Sequence, residues 1–341
     1  MSARLLAVVI GFFLCLPASF AQQATSATAK PNQHPPDWDI EPPPLGQLVD
    51  IGGRKLHLHC TGQGSPTVIV ENGSSSFSID WQLVQPQVER FTRICTYDRA
   101  GFAWSDHGPA INTVEETMDD LSLLLKTTGI APPYVLVGHS IGGLFVRAYQ
   151  RRHPEEVVGM VLVDSTPEDD ARYMVNGVDK VGIEMTYEEL RNVYAPLVKS
   201  PDPPAVLPDK VEEPLDRLSA ALQADRMWAW RKFDREWLHD NAHWWITAES
   251  WKEEFVALRR LRLAQPYVLG DMPLVVLYRG RRNNPDLNRR EIELSKMSRN
   301  GVARIAPESD HEIHLYQPEL VSQAIHEVVT TTKTKQSLPG N

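Results

Sequence analysis

Cysteine is scarce in this sequence, positive charge is outnumbered, and long apolar runs are missing from all but its first residues. With 35 Lys and Arg against 44 Asp and Glu, the formal net charge is −9. That balance argues against a nucleic-acid binder, because gripping phosphates requires a concentrated basic face. It favours solubility and names no partner. Neither a dinucleotide fingerprint nor a phosphate-binding glycine loop occurs, and no cofactor is expected. A metal site is not expected either. His239 and His243 stand four apart as in a His-Glu-x-x-His helix, but Asp240 replaces the glutamate and no third ligand is evident. His57 and His59 share one face of an early strand without an obvious metal partner. Internal repeats are also missing.

One apolar run, Leu5 to Leu16, follows Arg4 and precedes Ser19-Phe20-Ala21, the small-residue pattern that a signal peptidase reads. It is short for a bilayer span, so residues 1–21 are expected to be a cleaved signal, with an uncleaved signal anchor as the alternative. The expectation is therefore an exported protein, periplasmic or secreted, with no stable membrane span. Phe13-Leu14 before Cys15 make a poor lipidation site. Two cysteines then remain, Cys60 and Cys95. An even count permits a disulfide in an exported chain, and two small core residues are the alternative. Residues 22–45, with Pro35-Pro36 and Pro42-Pro43-Pro44, read as a proline-rich linker.

At 341 residues the chain can bury one large core carrying an insertion, or two small ones. Gln47 to Ile51 and Lys55 to Cys60 flank Gly52-Gly53, a hairpin signal. Short apolar segments follow at Thr67–Val70, Arg93–Tyr97, Tyr134–Val137, Val158–Val163, Leu274–Tyr278 and Val302–Ile305. Helical patterns separate the later ones. That alternation predicts an α/β fold: a mostly parallel eight-stranded sheet with helices on both faces. Between Thr166 and about Gln265 no clear strand is found. Trp230, Phe233 and Trp237 recur at helical spacing, as do Trp251, Phe255 and Leu258, and six of the nine tryptophans lie between Trp228 and Trp251. We read 166–265 as a helical cap that divides the core into 46–165 and 266–333, with 334–341 as a tail. An aromatic stripe of this kind is first of all packing, but a cap over the sheet edge also faces substrate.

The pentapeptide Gly138-His139-Ser140-Ile141-Gly142 joins the strand Tyr134–Val137 to a helical pattern with Leu144, Phe145, Ala148 and Tyr149. In that setting Gly-x-Ser-x-Gly is a tight, strained turn that lifts the serine oxygen above the sheet edge. Serine alone is a poor nucleophile, so a histidine, an acid and oxyanion donors must converge on it. His311, in the loop after Val302–Ile305, is the candidate base; His314 is the alternative. For the acid, Asn283 holds the more familiar position and cannot stabilise an imidazolium as a carboxylate does. Asp164, at the end of an apolar strand, and Asp286, among four arginines, remain. Asp164 is preferred, since Thr166-Pro167-Glu168-Asp169 already supplies a helix cap and first-turn acids, while Asp286 has an easy surface ion pair. The Ile141 amide and that of Ser74, from Asn72-Gly73-Ser74, are the candidate oxyanion donors. Asn72 also begins a glycosylation sequon, at odds with a place in the site.

These residues resemble the α/β-hydrolase superfamily over nearly everything after the linker. Tyr97-Asp98-Arg99-Ala100-Gly101-Phe102-Ala103-Trp104-Ser105-Asp106 resembles its loop after the fourth strand, with Ala103 where a glycine is usual and Asn72 where a histidine is usual. The layout most resembles the branch of haloalkane dehalogenases, epoxide hydrolases and carboxylesterases, with a cap after the sixth strand. Some dehalogenases carry their acid where Asp164 stands. Ser140 in place of an aspartate excludes dehalogenation and epoxide hydrolysis by that route. The resemblance implies neighbouring strands for Cys60 and Cys95, hence a feasible disulfide. It also implies carboxylester hydrolysis through an acyl-enzyme on Ser140, with a small-molecule ester as substrate. The tryptophan-rich cap suggests an apolar or aromatic ester. A prolyl-type aminopeptidase using Glu236, Asp240, Glu249 or Glu253, a perhydrolase, an acyltransferase, or a binding protein on this scaffold are the alternatives.

Overall fold

Each central strand is apolar on both sides because each is covered on both sides. The computed structural model describes residues 40–108, 113–170, 172–175, 178–198, 211–233, 241–281 and 284–340. Ten strands are described: β1 (Gln47–Asp50), β2 (Lys55–Thr61), β3 (Thr67–Glu71), β4 (Ile94–Tyr97), β5 (Tyr134–His139), β6 (Val157–Val163), β7 (Arg172–Val175), β8 (Val178–Val181), β9 (Leu274–Arg279) and β10 (Gly301–Ala306). Eight of them form one sheet in the order β1-β2-β4-β3-β5-β6-β9-β10. The β1–β2 and β2–β4 pairs are antiparallel, and every later neighbour is parallel.

The two-residue period of a strand sends alternate side chains into two cores. Ile69, Leu136, Met160, Leu162 and Val276 face one side, where they meet Leu144, Phe145 and Leu121. Those partners come from α2 (Val114–Thr127) and α3 (Gly142–Arg152). Val68, Val70, Val135, Val137, Val161, Val163 and Val275 face the other, against Val321, Ile325 and Val328. These belong to α9 (Pro318–Thr334), which lies beside the short α1 (Gln85–Val88). α7 (Pro285–Ser295) runs between β9 and β10, started by Asn284, whose side chain accepts from the Asp286 and Leu287 amides. A short α8 (Ile313–Tyr316) precedes α9.

Cys60 and Cys95 stand directly opposite each other on β2 and β4 and are joined by a disulfide. The tail is docked: Leu338 is buried and its amide donates to Asn300 Oδ1 at 2.8 Å. Among the described residues, no helix is long and apolar enough to cross a membrane. The expected signal over 1–21 lies outside the described residues. Of the linker, residues 40–45 are described, and the Pro42 carbonyl accepts from the Trp104 indole at 2.8 Å.

The inserted region holds α4 (Tyr187–Val198), α5 (Ala220–Phe233) and α6 (Asn241–Ala264), and it differs from expectation in three ways. First, β7 and β8 pair as a small antiparallel hairpin where no strand was expected. The signal was Asn176-Gly177 between Tyr173, Val175 and Val178; four-residue strands carrying Arg172, Asp179 and Lys180 hid it. Second, Thr166-Pro167-Glu168-Asp169 starts no helix. Glu168 is buried between Arg147 of α3 at 2.5 Å and Arg262 of α6 at 3.1 Å, and that pairing replaces the expected first-turn role. Third, Trp251, Phe255 and Leu258 of α6 join the core beside α3 rather than the Ser140 end of the sheet.

Candidate active site

Three parallel strands end along one edge of the sheet, and the turns that leave them bring the candidate residues together. Between β5 and α3 the chain reverses so closely that a Cβ on Gly138 would lie 2.7 Å from the Gly142 carbonyl. One on Gly142 would lie 2.4 Å from the Glu71 carbonyl. No other residue fits either place without moving backbone. Ser140 sits at the apex with φ +54°, a left-handed conformation that is costly for a side chain with a Cβ. Its amide donates to the Val163 carbonyl, and its carbonyl accepts from the Gly143 and Thr166 amides. The strain is thus held by β6 and α3 together.

Asp164, one residue beyond β6, is also left-handed at φ +43° and is almost fully buried. Its Oδ2 meets His311 Nδ1 at 2.5 Å and the Arg279 guanidinium at 2.7 Å. Its Oδ1 accepts from the Arg279 amide at 3.0 Å. Burial alone would raise the carboxyl pKa; the His311 hydrogen bond and the Arg279 charge outweigh it and hold it below the usual value. A carboxylate can only accept, so His311 presents a proton on Nδ1, and the neutral ring has its lone pair on Nε2. Asp286 is elsewhere: an exposed first-turn acid of α7, 3.3 Å from Arg289. Asn283 lies outside the described residues.

His314 is fully buried, stacked on Trp81 with ring centroids 4.6 Å apart. Burial pushes its pKa down to about 3, with the charges of His311 and Arg226 adding to it, so the ring is neutral packing. His139, which the sequence reading passed over although it lies inside the pentapeptide, rests between these two histidines at 4.7 and 4.5 Å. Its Nε2 hydrogen donates to the His311 carbonyl at 3.1 Å. The residue before Ser140 therefore fixes the backbone of the histidine-bearing loop.

Arg99 is the second residue the reading missed, and its signal was the motif around it. Buried, it pairs with Glu71 at 2.6 Å and donates to the Asn72 and Gly73 carbonyls at 2.7 and 2.5 Å. Across a trans peptide the N–H points opposite to the C=O. Turning the Gly73 carbonyl onto Arg99 therefore turns the Ser74 amide away from it. The Asn72 side chain donates to the Tyr97 carbonyl and accepts from the Trp81 indole, each at 2.8 Å. Buried and bonded at both ends, it offers no glycosylation acceptor. Ile141 caps the N-terminus of α3, where amides have no acceptor within the helix.

The α5 helix docks over this edge. Trp228 and Phe233 pack with Phe77, Phe102, Trp104 and Leu315. Arg226 pairs with buried Asp80 at 2.6 Å and donates to the Ser75 carbonyl at 3.0 Å. Lys232 donates to the carbonyl of Ala103, whose φ of +41° explains why a glycine is usual there. Trp237, Glu236, His239 and Asp240 lie outside the described residues, as does the His243 side chain. Glu249 pairs with Arg191, and Glu253 accepts from the Tyr187 hydroxyl. For a metal, His57 is already engaged: Nδ1 faces Asp98 at 2.7 Å and Nε2 accepts from the Gly46 amide. Among the described residues, His153, Glu155 and Glu156 bring ligand atoms within 4.8 Å of one another, at the opposite end of α3 from Ser140.

A mainly parallel sheet with a strained serine turn after β5 and an insertion after β6 is the architecture of an α/β hydrolase. Residues 66–270, more than half of the chain, match the sequence profile described as "alpha/beta hydrolase fold", and the chain belongs to that family. It is 27% identical over 316 residues to a protein named probable transporter efuK from Hormonema carpetanum, covering 85% of this chain and 44% of that one. It is 28% identical over 153 residues to 2-hydroxy-6-oxo-2,4-heptadienoate hydrolase of Pseudomonas putida, covering 44% of this chain and 54% of that one. The chain spans about half the length of these relatives, or less. Among solved structures, a thermophilic esterase from Thermogutta terrifontis superposes with a TM-score of 0.56 at 21% identity, over 82% of this chain and 94% of that one. At that identity the likeness is one of fold.

Proposed function

We propose that the protein is a serine hydrolase of carboxylic esters, with Ser140 as nucleophile, His311 as general base and then acid, and Asp164 orienting it. One observation carries this reading: Asp164, strained and buried, meets His311 Nδ1 at 2.5 Å at the sheet edge from which Ser140 also rises. His311 Nε2 takes the Ser140 proton as Oγ attacks the ester carbonyl, and the ion pair with Asp164 supports the imidazolium. The Ile141 and Ser74 amides hold the developing oxyanion. Collapse expels the alcohol, protonated by His311, and water attacks the acyl-enzyme by the same route. The aromatic cluster of Phe77, Trp104, Trp228 and Phe233, which seats the tryptophan-rich insertion over this edge, supports an apolar or aromatic ester as the substrate class. No cofactor takes part in this scheme. Export is proposed with it, supported by the signal-like run over 1–21 and by a disulfide, which persists in oxidising compartments.

The test is stoichiometric labelling with a fluorophosphonate, mapped by mass spectrometry, beside turnover of p-nitrophenyl esters and of proline β-naphthylamide. Labelling at Ser140, lost together with esterase activity in Ser140→Ala, is expected. No labelling would favour a binding protein, and preference for the amide an aminopeptidase.

A further inference from the structure

We propose that Arg279 is a positioning residue of this site: its guanidinium clamps Asp164 to the loop that carries His311. The inference rests on the triad reading above and deepens it by naming what keeps the acid in register with the base.

Arg279 closes β9, the strand between β6 and β10, so the strands on either side of it lead to Asp164 and to His311. The Asp164 amide donates to the Leu277 carbonyl at 2.7 Å, which carries the β6–β9 ladder one residue past β6. That register sets the Arg279 amide against Asp164 Oδ1 at 3.0 Å. The guanidinium of the same residue returns to Oδ2 at 2.7 Å. Main chain and side chain of one residue thus hold both oxygens and fix the plane in which Oδ2 meets His311 Nδ1. Asp164 has no exposed side-chain surface, so these donors replace the water that a carboxylate otherwise needs.

The other end of the guanidinium reaches Asp310. Nη1 lies 3.8 Å from Oδ1, the oxygen that accepts from the His311 amide at 3.1 Å. The base is therefore held twice, by its ring through Asp164 and by its main chain through Asp310, and Arg279 stands behind both. A planar fork can span two acids in this way; a single ammonium cannot.

The charge has a second effect. Oδ2 serves Arg279 and His311 together, and a cation this close opposes the positive charge that His311 takes on in turnover. His311 then stays unprotonated to lower pH than an Asp–His pair alone would leave it. Asp310 and Glu312 of its own loop and Asp170 beyond β6 pull the other way. Burial pushes Glu291 of α7 towards its neutral form, as it does His139 and His314.

Two variants separate charge from geometry. Ser140 phosphonylation is followed against pH and phosphonate concentration for the wild type, Arg279→Met and Arg279→Lys. Methionine removes the cation, and the acid limb moves up by about 1 pH unit. Lysine keeps the charge but not the fork, so its limb stays in place. In both, the maximal rate falls by about 10–100-fold, while the phosphonate concentration giving half that rate is unchanged. An unmoved limb in folded Arg279→Met, an equal shift in both variants, or a loss confined to the half-saturating concentration would overturn the proposal. Should Arg279→Met not fold, Arg279→Gln is equally uncharged and carries the same expectation; a full rate in Arg279→Lys would by itself refute the fork. Failure of the triad reading shows differently: Ser140 of the wild type would not label, while NMR titration of the His311 ring would still report the shift between variants.

Discussion

Replacing Asp164 with asparagine separates a triad acid from a merely buried one. Asp164 presents two oxygens to three donors, with Oδ1 on the Arg279 amide and Oδ2 on both His311 and the Arg279 guanidinium. Asparagine has one acceptor and one donor end. With its oxygen on the Arg279 amide, its NH2 confronts His311 Nδ1–H and the guanidinium; flipped, it confronts the Arg279 amide. Every orientation sets donor against donor. The cheapest relief is for His311 to move its proton to Nε2, and a histidine in that tautomer cannot accept from Ser140. In a serine triad this change lowers kcat by about 10⁴-fold, equivalent to about 5.5 kcal/mol at 1.36 kcal/mol per tenfold. Asp286→Asn removes only an exposed pair with Arg289 and should stay within about twofold. The assay is p-nitrophenyl ester turnover per site competent for phosphonate labelling, with circular dichroism as a check on folding. Folded Asp164→Asn within tenfold of wild type, or collapse of activity in Asp286→Asn, would refute the reasoning.

His314 gives a stability prediction with a defined sign. Its folded pKa is depressed from 6.5 to about 3, so below pH 6.5 the unfolded chain binds a proton that the native ring refuses, and stability falls as pH falls. The slope is about 1.4 kcal/mol per pH unit between those values. His314→Phe keeps the stack on Trp81 and should lose less stability than the wild type between pH 6.5 and pH 4.5 in urea titrations; equal losses would contradict this. Arg99→Met leaves the buried Glu71 carboxylate unpaired and should cost about 3–5 kcal/mol. Adding Glu71→Leu should recover part of that loss, and an additive double variant would show that the pair is not the cause. The Cys60–Cys95 bond closes a 35-residue separation, for which chain entropy gives about 4 kcal/mol. The Cys60→Ala/Cys95→Ala double variant should show a loss of that order, and an unchanged urea midpoint would place the contribution near zero.

The sheet was legible because its strands are buried on both faces: Val161-Leu162-Val163 and Leu274-Val275-Val276-Leu277 declare themselves by composition alone. The serine turn was legible because the glycines either side of it are required by close approach. What could not be read was whatever depends on a partner distant in the chain. Asp164 was preferred for a sound reason, its burial at a strand end, and for an unsound one. The supposed helix cap after it does not exist, because Glu168 is claimed by Arg147 and Arg262, which lie far from it in sequence. Arg99 and His139 looked like ordinary polar residues; their importance lies in carbonyls and a carboxylate that only folding brings near. The β7–β8 hairpin, in contrast, had a local signal that was overlooked.

Arg226 joins two parts of the molecule that a hinged cover would need to keep separate. One guanidinium binds Asp80 and also the Ser75 carbonyl, next to the residue proposed to donate to the oxyanion. Displacing α5 would break both bonds and free the loop that carries the Ser74 amide. One side chain thereby ties the seating of the inserted helix to the conformation of that loop.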